Sequence, residues 1–136
     1  MHNPIGHMCH AAVKDVERDF SDRPDKSIFA DDQGDWTYVQ DVARGIQMVH
    51  TAGTLRHRVY NIGSGRATSH QEVFEAVRQV VPDARCTALK PGQTPNAPTN
   101  PAEDLSRIKA DVGYEPEYTL EMGVAAYIDW LQSYPQ

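Results

Sequence analysis

Pro91, Pro95, Pro98 and Pro101 crowd the stretch from Lys90 to Ala102. Each proline fixes φ and removes a backbone donor, so neither a helix interior nor a central strand can cross this segment. The chain is read as one domain over residues 1–136 with an irregular Pro-rich loop at 90–102 inside it. Loops of that length in compact domains tend to be functional or mobile. The rest must be built from short elements on either side.

Hydrophobic periodicity supplies those elements. An opening helix is expected from Met8 to about Phe20, with Met8, Ala11, Ala12 and Val16 on one face. Asp22-Arg23-Pro24-Asp25 ends it, and Ser27 to Ala30 forms a short strand. A second strand around Trp36 to Tyr38 runs into a helix from Gln40 to Ala52, where Val42, Ile46 and Val49 recur at helical spacing and Gly53 closes the end. His57 to Ile62 reads as a strand, Val59 alternating with Arg58 and Tyr60. Ser69-His70-Gln71-Glu72 has capping-box spacing, so a helix starts there with Val73, Val77 and Val80 as its apolar set, widened by Phe74 and Val81, and stops at Pro82. Arg85 to Leu89 is a strand. A short helix spans Asp104 to Asp111 before Gly113, and a last helix starts near Thr119 with Leu120, Val124, Ile128 and Leu131 inward. This order gives an α+β fold, a partial α/β one, without a self-contained series of βαβ crossovers.

Composition narrows the function classes. A chain of 136 residues buries about two thirds of its unfolded surface. With 40% hydrophobic and 24% charged residues it has the make-up of a soluble globular protein, and its apolar runs are too short to span a bilayer. A net charge of −6 argues against nucleic-acid binding, which needs clustered Lys and Arg. The N-terminus lacks a basic region followed by a long apolar core, so no signal peptide is expected. Cys9 and Cys86 give no framework spacing, which fits a reducing, cytoplasmic setting.

Two segments carry a family pattern. They are Asp35-Trp36-Thr37-Tyr38-Val39-Gln40-Asp41-Val42-Ala43 and, a helix length later, Val59-Tyr60-Asn61-Ile62-Gly63-Ser64-Gly65. Asp104-Leu105-Ser106-Arg107, Val112-Gly113-Tyr114-Glu115-Pro116 and Tyr127-Ile128-Asp129-Trp130-Leu131 continue it. From about Ser27 onward the chain resembles the C-terminal, substrate-binding portion of extended short-chain dehydrogenases/reductases, the NAD-dependent epimerase/dehydratase family. The resemblance implies a subdomain that packs against a Rossmann-type sheet and lacks the N-terminal dinucleotide-binding sheet itself. It implies NAD or NADP in the full-length enzyme and a nucleotide-sugar-like substrate, with a homo-oligomer or a separate Rossmann-type chain as possible partners. No segment has the Tyr-x-x-x-Lys pair, so no catalytic residue is assigned to this chain, and turnover by the chain alone is not expected. The alternative reading is a non-enzymatic ligand-binding or self-associating module, with a small dinucleotide-binding protein behind it.

The candidate contacts are for substrate. Family members hold a nucleotide diphosphate with an arginine just before the Tyr-x-x-Val-Asp-like segment, where this chain has Gly34, and with an Arg-x-Gly-Asp motif downstream. Lys90-Pro91-Gly92-Gln93 matches that motif in spacing. Lys90 would neutralise phosphate without a bidentate fork and Gln93 would bond a sugar hydroxyl, while a solvated Lys90 is the competing reading. Asn3-Pro4-Ile5-Gly6 resembles the Asn-Pro-x-Gly segment whose asparagine faces substrate in some epimerases, against a frayed terminus as the alternative. Trp36 and Tyr38 share a strand face and line either a sugar or base pocket or the core.

Other chemistry is weaker. Gly63-Ser64-Gly65-Arg66-Ala67-Thr68 sits between strand and helix like a dinucleotide fingerprint, yet its third glycine position is Thr68 and the helix starts only after Ser69, so no cofactor-binding residue is assigned. Asp31, Asp32 and Asp35 look like paired carboxylates but read as a solvated acidic loop. Asp41 suits a helix N-terminus. His7, Cys9 and His10 lack a third ligand on a shared face, and no metal is assigned.

Overall fold

Pro4 opens the first helix, where its fixed φ is already helical and its missing N–H costs nothing. That helix, α1, spans Pro4–Val13. The computed structural model describes residues 4–17, 20, 27–96 and 100–134. α1 begins earlier and ends sooner than its periodicity suggests: Asp15 turns the chain at φ 51°, and Val16, expected on the inner face, is 52% exposed beyond the helix. The break expected at residues 22–25 lies outside the described residues.

α1 packs with α3 (His70–Val80) and α5 (Leu120–Ser133) around one core. Met8, Cys9 and Ala12 meet Val73, Ala76, Val77, Val124, Ile128 and Leu131 there, with Phe20, Ile28 and Cys86 closing the edges. Both cysteines are free, and burial pushes the Cys9 thiol up to about 12, so it behaves as a small apolar side chain. α3 starts as its sequence dictates: the Ser69 hydroxyl accepts from the Glu72 amide (3.1 Å), and the Glu72 carboxylate accepts from the Ser69 amide (2.8 Å). Val80, read as inward, is 39% exposed, and Ala76 takes the buried place. The inward set of α5 is borne out, and Thr119 caps the helix through the Met122 amide.

The strands are short and pair non-locally. β1 (Ile28–Phe29) runs parallel to β4 (Leu89–Lys90), with Ile28 opposite Leu89 and Phe29 opposite Lys90. β2 (Gln33–Asp35) runs antiparallel to β3 (Ala67–Ser69), Gly34 opposite Thr68. The strand expected at Trp36 to Tyr38 therefore ends before Trp36, and that expected at Arg85 to Leu89 shrinks to its last residue and Lys90. Ala67–Ser69 was not expected as a strand, and residues 57–62 pair with nothing among the described residues.

A second cluster lies apart from the three-helix core. Leu105, Ile108 and Tyr114 form it, with Met48, Val49, Tyr60, Ile62 and Val112 packed on them from α2 (Val39–Thr51), the 60–62 segment and α4 (Ser106–Val112). Gly113 ends α4 at φ 70°, a left-handed position suited to glycine, and its amide reaches the Lys109 carbonyl. In α2 the buried positions are Asp41 and Gly45, so Ile46 points outward, 57% exposed, contrary to the apolar spacing. A buried carboxylate anchor sets the rotation of α2. The molecule is α+β with five helices and two two-stranded sheets among its described residues, and none of its helices is long and apolar enough to cross a membrane.

Candidate binding cleft

After Asp35 the chain leaves β2 and carries Trp36, Thr37 and an extended Tyr38 across the gap between α1 and α5. They line a cleft of about 290 Å³ with Ile5 and Gly6 from the first turn of α1 and Tyr118 and Tyr127 at and within α5. The aromatic rings are fixed from behind. Trp36 donates Nε1–H to the Thr68 carbonyl (3.1 Å) and stacks on His70 with centroids 6.0 Å apart. His70 is buried and holds Nδ1 2.9 Å from the Phe29 carbonyl, so Nδ1 carries the proton. The Tyr38 ring lies 4.6 Å from that of Tyr118, whose hydroxyl donates to Gln40 Oε1 (2.7 Å). Gly123 lets Tyr38 approach: a Cβ there would stand 3.2 Å from Tyr38 Cβ.

One polar handle reaches the cleft from below. The Tyr127 hydroxyl lies 3.1 Å from His10 Nε2, and burial holds its pKa above the usual tyrosine value, so it stays a neutral donor and acceptor. The cleft is built to receive a flat or weakly polar group among aromatic faces, with a hydroxyl to orient it. Sequence reasoning reached Trp36 and Tyr38 but missed Tyr118, Tyr127 and His10. The available signal was the Thr119 cap, which places Tyr118 just ahead of α5 and Tyr127 on the side of Gly123.

The other candidates fall elsewhere. Lys90 ends β4, exposed, and neither it nor Gln93 lines the cleft. Gln93 donates its amide to the Asp31 carbonyl (3.3 Å). Asn3 lies outside the described residues, directly ahead of the α1 turn that forms one wall. Gly34, in place of the family's arginine, has a structural reason: a Cβ there would stand 2.9 Å from the Trp36 ring. His7 meets Phe20 edge-on and His10 is engaged with Tyr127, and the described residues place no group of three or more His, Cys, Asp or Glu for a metal ion.

The glycine turn is filled from within. Asp35 accepts from the Ser64 amide and hydroxyl (both 2.7 Å), the Gly65 amide (2.9 Å) and the Glu103 amide (3.0 Å). Burial raises the Asp35 carboxyl, but these bonds outweigh it and hold the group below its ordinary value. A carboxylate thus takes the amides that a pyrophosphate would need, and the turn does not fit a dinucleotide. The acidic loop is not simply solvated either, since Asp32 accepts from the Thr94 amide (2.9 Å) and hydroxyl (2.6 Å). Asp41 is structural: it accepts from the Glu117 and Tyr118 amides, both at 2.9 Å.

No protein-family model matches the chain. A dTDP-glucose 4,6-dehydratase of Xanthomonas campestris pv. campestris is 30% identical over 105 residues, 71% of this chain and 30% of that protein. UDP-glucose 4-epimerase of Thermotoga maritima, solved with UDP-glucose, has a TM-score of 0.74 at 18% identity over 98% of this chain and 40% of its own. dTDP-glucose 4,6-dehydratase of Bacillus anthracis, solved with NAD, has a TM-score of 0.70 at 20% identity over 97% of this chain and 40% of its own. The solved structures speak for the fold. The chain spans about 30% of the length of the curated relatives it matches.

Proposed function

Since the chain belongs to the extended short-chain dehydrogenases/reductases, the NAD-dependent epimerases and dehydratases, we propose that it is the substrate-binding half of an NAD(P)-dependent enzyme acting on a nucleotide sugar. The observation that carries this reading is the aromatic cleft, whose Trp36, Tyr38, Tyr118 and Tyr127 present flat faces and one oriented hydroxyl. A base or sugar ring stacks on such faces. Asn3, Lys90 and Gln93 remain proposed phosphate and hydroxyl contacts, Lys90 and Gln93 for parts of the substrate that extend beyond the cleft, which they do not line, with Lys90 acting as a point charge. The site would be completed by a Rossmann-type part that holds NAD or NADP, because the one glycine turn suited by position is occupied by Asp35. The cofactor supplies hydride chemistry when bound. The residues of this chain bind and orient, and such an enzyme belongs in the cytoplasm.

Calorimetric titration of the chain with dTDP-glucose and UDP-glucose tests the reading. One of them should bind, and Tyr38→Ala should weaken it about ten-fold, as loss of one stacked ring does. With NAD added, no NADH should form. Absence of binding by both sugars, or binding indifferent to Tyr38→Ala, would remove the cleft from the proposal.

A further inference from the structure

The start of the Pro-rich loop is anchored to the segment that follows β1. The Ala30 amide donates to the Lys90 carbonyl (2.7 Å) and the Asp31 amide to the Gly92 carbonyl (3.0 Å). These backbone bonds end at Gly92, and beyond it a side chain takes over. The Asp32 carboxylate accepts from the Thr94 amide (2.9 Å) through one oxygen and from the Thr94 hydroxyl (2.6 Å) through the other. Both contacts are charge-assisted, and a two-point hold fixes direction as well as distance.

Gln93 lies between the two anchors. Its carboxamide nitrogen donates to the Asp31 carbonyl (3.3 Å), so the carboxamide oxygen is the end left to meet a ligand. An oxygen in that role accepts, and a hydroxyl is a fitting donor. The same segment is tied to the cleft. The His70 and Gln71 amides, in the first turn of α3, donate to the Asp32 and Ala30 carbonyls, both at 3.0 Å. His70 also holds the Phe29 carbonyl through Nδ1 and stacks on Trp36. Gln93 and the aromatic wall of the cleft are thus mounted on one turn of α3.

Charge alone makes Asp32 a poor neighbour for a phosphate-bearing ligand, since a carboxylate repels it. Its value lies in what it holds. We propose that Asp32 is a positioning residue: through Thr94 it aims the Gln93 carboxamide oxygen at a hydroxyl of the hexose of a nucleotide sugar. This role rests on the nucleotide-sugar reading given under Proposed function. The positioning role and the bare charge differ in sign, because loss of the carboxylate weakens binding in the first case and strengthens it in the second.

Two measurements on the full chain test it. One is calorimetric titration with dTDP-glucose and UDP-glucose, with dTDP and UDP as controls that lack the hexose. The other is hydrogen exchange at the Thr94 amide. Asp32→Ala should strip that amide of protection and weaken the hexose-bearing ligand about ten-fold without weakening the diphosphate. Thr94→Val, which removes only the hydroxyl contact, should show the same pattern at smaller size. Asp32→Asn, whose oxygen still accepts from the Thr94 amide, should restore most of the loss. In a Gln93→Ala background Asp32→Ala should have no further effect. Tighter binding of both ligands in Asp32→Ala, or a loss that persists in the Gln93→Ala background, overturns the proposal. Unchanged Thr94 exchange in Asp32→Ala shows that there is no hold and overturns it too, whatever binds. A parent chain that binds neither sugar nucleotide, while Asp32→Ala still frees Thr94, fails the nucleotide-sugar reading itself, and the positioning role falls with it.

Discussion

Three aspartates carry structural loads that their sequence context hides. Asp35, Asp41 and Asp111 each gather backbone or side-chain donors from segments distant in the chain. Read locally, Asp35 belonged to a solvated acidic loop, because its backbone amide donors lie 29 to 68 positions away and only the Thr37 hydroxyl is a near neighbour. The Tyr60 hydroxyl, then burial opposing it, then His57 and Arg56 together hold the Asp111 carboxyl far below its ordinary range. A carboxyl depressed in the folded state takes up its proton on unfolding, so its stabilisation is complete above the unfolded value of about 4 and is lost as pH falls through the folded value. Thermal unfolding followed by circular dichroism should give a midpoint that is flat from pH 7 to about 5 and falls below about 4. Asp111→Asn should lower the plateau and flatten the acid limb. An acid limb as steep as that of the parent chain would take Asp111 out of the account.

At the scale of elements, legibility followed the range of the forces. Helix starts at Ser69 and Thr119 and the stop at Gly113 were readable because caps are local chemistry between residues a few positions apart. Ser69→Ala should cost about 1 kcal/mol in urea unfolding, since it removes the hydroxyl that accepts from the Glu72 amide and leaves only the backbone half of the box. A loss within error would mean that Glu72 alone caps α3. Strands were legible only as tendencies. Ala67–Ser69 was missed and residues 57–62 were read as a strand, because a ladder depends on which remote segment lies alongside, and propensity does not report it. Helix rotation failed for a related reason. The apolar spacing of α2 favoured Ile46 inward, but two amides ahead of α5 bind Asp41 and turn the helix about its axis. The cleft was half legible on the same grounds, with Trp36 and Tyr38 two positions apart in sequence and Tyr118 and Tyr127 brought in by packing.

At the scale of the whole molecule, the two apolar clusters divide the chain by spatial neighbourhood rather than by sequence. α1, α3 and α5 share one, and α2, α4 and the 60–62 segment share the other. The links between them are mostly polar or narrow: the amides of Glu117 and Tyr118 on Asp41, those of Ser64, Gly65 and Glu103 on Asp35, and Tyr38 against Gly123. The second cluster has three fully packed members, and its helix α2 leaves Val39 and Ile46 exposed, so it holds less apolar area against opening. Subglobal opening begins where buried apolar contact is least. Native-state hydrogen exchange should therefore show the amides of α2 and α4 exchanging together, at lower opening free energy than those of α3 and α5. Asp41→Asn should lower the protection of α2 and α4 further while leaving α3 unchanged, because the carboxylate joins α2 to the lead-in of α5 by its hydrogen bonds to the Glu117 and Tyr118 amides. Equal protection in all four helices would show one cooperative unit, and the polar links would then have to be as strong as the core they connect.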